Sequence, residues 1–133
     1  MIITKKQNNY IPGTCNIGFE ESESRKTFGL TWLIVSTAIL ASIIFLKLPN
    51  YYAIALSIPI FFSSIGLLQS QQKFCAYYGL HGRYNFEKLG NALKVQEEKL
   101  KKKDKEKAVQ LIIISAIASL ALTALAFLAL NYL

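Results

Sequence analysis

AVQLIIISAIASLALTALAFLALNYL, residues 108–133, decides the fold: it runs for 26 residues without one charged side chain. A helix rises ~1.5 Å per residue, so about 20 residues cross a hydrocarbon core of ~30 Å. Working outward, two further uncharged runs appear, 20 residues over 27–46 and 25 over 48–72, parted by Lys47. Together the three fill more than half of the chain, and each is long enough to span a bilayer.

Composition agrees. Hydrophobic residues make up 53% and mean hydropathy is +0.33, too apolar for an ordinary soluble domain of this size. A soluble bundle would require helices with a polar stripe, yet residues 39–45 and 111–130 are apolar all round. Residues 1–6 carry charge like the start of a secretory signal, but no apolar run follows until residue 27, so no cleavage is expected.

The net charge of +7 raises nucleic acid as a partner, and its distribution argues against one. Of 15 basic residues, four precede the first run, Lys47 sits in the turn, and ten lie in 73–107. In a three-span arrangement all but Lys47 fall on one side, the positive-inside pattern. The N-terminus and the basic connector are therefore expected in the cytoplasm and the C-terminus outside.

The fold class read from this is all-α: an antiparallel transmembrane hairpin plus a third transmembrane helix, preceded by a charged amphipathic helix. Residues 1–26 form a cytoplasmic segment and interfacial helix, starting near 16–20, where Glu20, Glu21 and Glu23 suit a helix N-terminus and Glu21 can pair with Arg25. The hairpin is 27–72, with spans of about 27–46 and 51–70 joined at Lys47-Leu48-Pro49-Asn50. Trp32, Tyr51 and Tyr52 fit aromatic belts, and Pro59 predicts a kink at mid-span that Ser57 or Ser63 would help satisfy. Connector 73–107 is expected to be a basic helix capped by Asn85, with Phe86, Leu89, Leu93, Gln96 and Leu100 on one face and Glu97–Lys101 and Glu98–Lys102 pairs. It can run unbroken into the third span, 108–133.

Several residues stand out as candidates. Placing the turn between residues 48 and 49 sets Arg25 near Gln72 and Ser22 near Cys75. Arg25 and Lys26 then snorkel to headgroups, or Arg25 binds the Gln69–Gln72 stretch. Cys15 and Cys75, the two thiols, read as inert, as reactive, or with His81 as a metal site; close Cys pairs, the usual mark of structural zinc, are missing. Ser115, Ser119 and Thr123 lie four apart with Ala118, Ala121 and Ala124 beside them, a face for close helix packing inside the chain or with a partner. Lys99, Lys101, Lys102, Lys103, Lys105 and Lys107 abut the third span, each worth about 1 kcal/mol of attraction to anionic lipid. No ionisable residue falls inside a span, no nucleophile triad or phosphate-cradling loop is present, and nothing implies a cofactor.

Asn16, Gly18, Glu21, Arg25 and Gly29, followed by Cys75, Tyr78 and Gly82, resemble the offsets of a small two-span bacterial membrane domain, the YgaP-type transmembrane domain. The resemblance covers about residues 15–83 and departs at Ser22, where an arginine is frequent, and at Ala76, where a proline commonly follows the cysteine. It implies the cytoplasmic (inner) membrane of a prokaryote and, at most, thiol chemistry at Cys75. That domain also occurs attached to a rhodanese, absent here, so sulfur transfer is not carried over.

The expected role is a small non-catalytic accessory or scaffold subunit. It would contact anionic headgroups on the cytoplasmic side and pack on other membrane proteins or on itself. Alternatives are a membrane-tethered thiol or persulfide carrier using Cys75 with Cys15, and a small oligomeric transport module built around Pro59, Ser57, Ser63 and Ser64.

Overall fold

The computed structural model describes residues 10–86, 90 and 92–133. Helix α1 is Phe19–Phe45. After the turn, a 3₁₀ helix over Asn50–Leu56 leads into α2, Ser57–Gln72. A short α3, Ala76–His81, precedes β1, Arg83–Tyr84, which pairs antiparallel with β2, Leu93–Lys94. Helix α4, Glu98–Asn131, closes the chain. Three helical stretches, Phe19–Phe45, Asn50–Gln72 and Glu98–Asn131, are long and apolar enough to cross a membrane. The fold is all-α, as expected, and the strand pair is a minor addition.

Polarity is inverted relative to a soluble bundle. Ser36, Ser63, Ser115, Ser119 and Thr123 are buried, whereas Ile34, Phe45, Ile54, Ile117, Leu120 and Leu125 are exposed. In water such a surface would be a large aggregation-prone patch. In lipid it costs nothing, and small inward residues let the helices approach closely. The closest approach is Gly29 on Gly66: a Cβ added at Gly66 would lie 2.8 Å from Gly29 Cα and N.

One end of the bundle is held by Ile43, Ala53, Leu56 and Leu130, with the side-chain amide of Asn50 donating to that of Asn131. At the basic end Phe74, Ala76, Ala108 and Leu111 pack together. The starts of α1 and α4 and the end of α2 thus share one end of the bundle, the arrangement the charge distribution predicts.

Three expectations need correction. Pro59 does not kink the middle of a helix: residues 50–56 wind as a 3₁₀ helix, and Pro59 falls in the first turn of α2, where an α-helix has no N–H bond to lose. Ser57 Oγ donates to Ile54 O at 2.8 Å. That 3₁₀ segment also moves the register, because it rises ~2.0 Å per residue against ~1.5 Å. Over seven residues the excess is ~3.5 Å, about two helical residues. Ser22 meets Ser70, donating to its carbonyl at 2.9 Å, instead of lying level with Cys75; the 3₁₀ winding accounts for about two of those five residues, and Cys75 lies beyond the end of α2 at Gln72.

The connector 73–107 is not a single helix either. Lys73 and Gly82 take left-handed backbone (φ 53° and 65°) and break the chain twice. Asn85 lies in extended backbone, and α4 begins only at Glu98, then runs unbroken through the third apolar run. Leu93 falls in β2, and Leu89 lies outside the described residues. Lys101 pairs with Glu98 at 3.3 Å, three residues apart, rather than with Glu97.

Candidate functional site

The basic end is assembled by the segment that precedes α1. From Ile11 the chain turns back through Gly13 (φ 71°) to Cys15, closed by Cys15 N donating to Ile11 O at 2.8 Å. This brings Asn16 against the break between α2 and α3. Its amide oxygen accepts Cys75 N–H at 2.7 Å and its Nδ2 donates to Cys75 O at 3.1 Å, satisfying both backbone groups of a buried residue. Gln69 Oε1 takes the next free donor, Ala76 N–H, at 2.8 Å. Gly18 N–H then donates to Asn85 O, and Asn85 N–H to Asn16 O, both at 2.8 Å. A Cβ at Gly18 would lie 2.9 Å from Phe86 Cα, so glycine permits this backbone contact.

Glu21, in the first turn of α1, is buried beneath that contact. Its Oε1 accepts from Tyr78 OH at 3.0 Å, Asn85 Nδ2 at 3.1 Å and Gly90 N–H at 3.2 Å. Its Oε2 pairs with Arg25 Nη2 at 3.1 Å, the bridge expected from their spacing. A buried carboxylate is tolerable only when so surrounded. Burial, then the bond to Glu21, pushes the Tyr78 phenol above its ordinary range.

Arg25 turns toward the cluster, and its hydrogen bonds go to Glu21 and Cys75. Its guanidinium lies over the Tyr78 ring, 5.9 Å from the centroid, and Nη2 donates to Cys75 Sγ at 3.2 Å. Lys26, Lys102, Lys103 and Lys105 are exposed, and Lys101 and Lys107 are half-buried.

Arg25 and Cys75 sit at the polar end of a cavity of about 480 Å³ walled by Phe28, Phe61, Phe62, Ile65, Leu80 and Ile112. Leu80 also borders a second hollow of about 540 Å³, on whose other walls stand His81, Lys101, Lys102, Lys105 and the single carboxylate of Glu98. An open apolar hollow, which Cys75 lines, and a cationic groove thus share Leu80 as a common border.

Cys15 is a different thiol. It is half-buried and points its Sγ at Ile17 O, 3.7 Å away; burial raises its pKa despite that bond and Lys73. Both cysteines are free. Among the described residues no three His, Cys, Asp or Glu side chains cluster as metal ligands would.

The Ser115–Ser119–Thr123 face turns inward onto the hairpin, with Ser119 Oγ donating to Ser57 O, while Ser115 and Thr123 hydroxyls are buried without a partner. Packing inside the chain, one of the two readings of that face, is what the structure contains.

All eight residues of the sequence motif therefore belong to this end. Asn16, Gly18, Glu21, Arg25, Cys75 and Tyr78 make one connected cluster, Gly29 sets the α1–α2 approach, and Gly82 supplies the bend after α3. Sequence reasoning missed Asn85 and Asp104. Asn85 carried no signal beyond that of a helix cap. Asp104 is the chain's one aspartate, set in a lysine run, a signal that marks the residue as unusual but not its partner. It is buried, accepting Gly13 N–H at 2.7 Å and the Tyr10 hydroxyl; burial and that carboxylate push the Tyr10 phenol up.

Fold and site together define a small helical membrane protein with a buried polar cluster at the basic end of its bundle. Compared with family models, with curated proteins and with solved structures, the chain matches none.

Proposed function

We propose that this chain is a membrane-tethered thiol carrier whose working group is Cys75. The observation that carries the reading is the Arg25 guanidinium 3.2 Å from Cys75 Sγ at the end of an apolar cavity. A nucleophilic cysteine needs a sulfur held in place and a partner for the charge that moves during reaction, and the Arg25 guanidinium donating to Sγ supplies that partner. Tyr78 and Glu21 hold Arg25 in place from behind, so the cation is fixed rather than free to follow solvent.

The charge distribution supports placing this end in the cytoplasm of a prokaryotic inner membrane with the C-terminus outside, and lysine side chains at the start of α4 against anionic headgroups. The meeting of the motif residues supports kinship with the YgaP-type transmembrane domain. A scaffold role rested on the Ser115, Ser119 and Thr123 face, and that face is occupied within the chain, so the thiol reading is the stronger.

Maleimide labelling of the full chain in lipid nanodiscs tests it. Cys75 is expected to react faster than Cys15, and Arg25→Gln to slow Cys75 while leaving Cys15 unchanged. Equal rates at Cys75 with and without Arg25 would remove the case.

A further inference from the structure

We infer that the group Cys75 receives is a long-chain acyl group, delivered as the thioester of a phosphate-bearing carrier of the coenzyme A class. This rests on Cys75 being a nucleophile, as proposed above, and names its substrate. The apolar cavity opens beside Cys75 Sγ and holds about 480 Å³. That space is far larger than one small group needs, and its lining suits an extended hydrocarbon chain. Its walls are mostly phenyl rings and aliphatic side chains, with Ser24, Arg25, Gln69 and Tyr77 as the polar exceptions beside Cys75. A sulfane sulfur or a small polar group would leave most of that space unfilled.

Across Leu80 the groove lined by His81, Lys101, Lys102 and Lys105 offers several cations against one carboxylate, Glu98, which already faces Lys101. Phosphates suit such a surface and a fatty chain does not. A ligand that fills both hollows is an amphiphile with an apolar tail and a polyanionic head, passing over Leu80, the residue that borders both, with Cys75 on the apolar side.

The step balances without an oxidant. Cys75 thiolate adds to the thioester carbonyl, the carrier's C–S bond breaks, and the carrier leaves as a thiolate while the acyl group forms a new C–S bond to Cys75. The guanidinium beside Sγ is also near enough to face negative charge developing on the carbonyl oxygen.

The experiment uses the full chain in nanodiscs of zwitterionic lipid, incubated with palmitoyl-CoA and read by intact mass. One acyl group per chain is expected, released by neutral hydroxylamine, retained in Cys15→Ser and lost in Cys75→Ser. Acetyl-CoA should transfer at least about tenfold more slowly, because it leaves the apolar walls uncovered. Replacing Lys101, Lys102 and Lys105 by Gln should slow transfer from palmitoyl-CoA but not from the palmitoyl thioester of a small uncharged thiol.

Equal rates with acetyl and palmitoyl donors, acyl transfer to Cys15 instead, or tight retention of anionic phospholipid with no thioester formed would each overturn the inference. Cys75 that reacts with maleimide under control of Arg25 yet takes no acyl group defeats this inference alone. Cys75 indifferent to both reagents defeats the thiol reading as well.

Discussion

Removing the Glu21 carboxylate is the perturbation with the largest expected consequence. Glu21→Ala removes one acceptor from four groups at once: Tyr78 OH, Asn85 Nδ2, Gly90 N–H and the Arg25 guanidinium. Hydrogen bonds to a charged group are worth ~1.5–3 kcal/mol each, but the four are not additive, since Tyr78 and Arg25 can relax toward one another or toward water. The better measure is the cost of breaking one side of a buried ion pair, ~3–5 kcal/mol, with the remainder of Arg25 left uncompensated. At about 1.4 kcal/mol per decade, this is a hundredfold to several-thousandfold change in the folding equilibrium.

The assay is reversible unfolding in mixed micelles followed by Trp32, the chain's one tryptophan, whose ring lies 5.1 Å from Phe62 and 6.2 Å from Phe28. It reports the α1–α2 contact directly. Glu21→Ala should lose ~3–5 kcal/mol, and the double variant Glu21→Ala/Arg25→Ala should recover part of that, because the stranded cation is gone. A loss below about 1 kcal/mol, or a double variant worse than the sum of the singles, would refute the view that this carboxylate holds the basic end together.

Gly66→Ala should cost ~1–3 kcal/mol in the same assay, since its Cβ would stand 2.8 Å from Gly29 backbone and the helices must part by roughly 0.7–1 Å to reach normal contact. An unchanged midpoint would mean the helices are not in that contact. Ser119→Ala should cost ~0.6–1.7 kcal/mol by losing its bond to Ser57 O. Ser115→Ala should be neutral or stabilising, because it deletes a buried hydroxyl without a partner; the reverse order would show that the face is not packed as described. Cys15 has its pKa raised by burial, so less of it is thiolate at neutral pH than for a free thiol. In a Cys75→Ser background its alkylation rate should still be climbing above pH ~8.5, and a plateau at or below that value would contradict the burial.

The spans were legible because a bilayer imposes a length, and a run of 20 or more uncharged residues satisfies it without reference to any other part of the chain. The Glu21–Arg25 bridge was legible for the same reason: it lies within one helix at a spacing that places both side chains on one face. What failed to show was set by long-range partners. Asn85 meets Glu21 across 64 residues and Asp104 meets Tyr10 across 94, and no local pattern encodes either. Arg25 read as a headgroup anchor because, seen alone, a cation at the start of a span has lipid phosphate as its obvious partner. Part of the hairpin register slip has a subtler cause, the 3₁₀ winding of Asn50–Leu56, which no residue type there demands.

The position of the polar cluster follows from the same energetics that shape the bundle. Glu21, Arg25 and Cys75 gather within the first two turns of α1 and just beyond α2, at the end that also carries the lysines, rather than at mid-span. A charged side chain at the bilayer centre costs at least ~2.5–3.5 kcal/mol, and a network of this size there would outweigh the packing of three short helices. At the basic end the carboxylate gains the positive end of the α1 dipole and donors from α3 and the extended segment, none of which is available deeper. The apolar cavity nevertheless reaches from this cluster toward Phe61 and Phe62, so one sulfur borders both the ionic network and the hydrocarbon-like interior. A group attached there can keep an apolar tail in the bundle while its reactive end stays next to a fixed cation. Neither a mid-span thiol nor one on the soluble connector would combine those two surroundings.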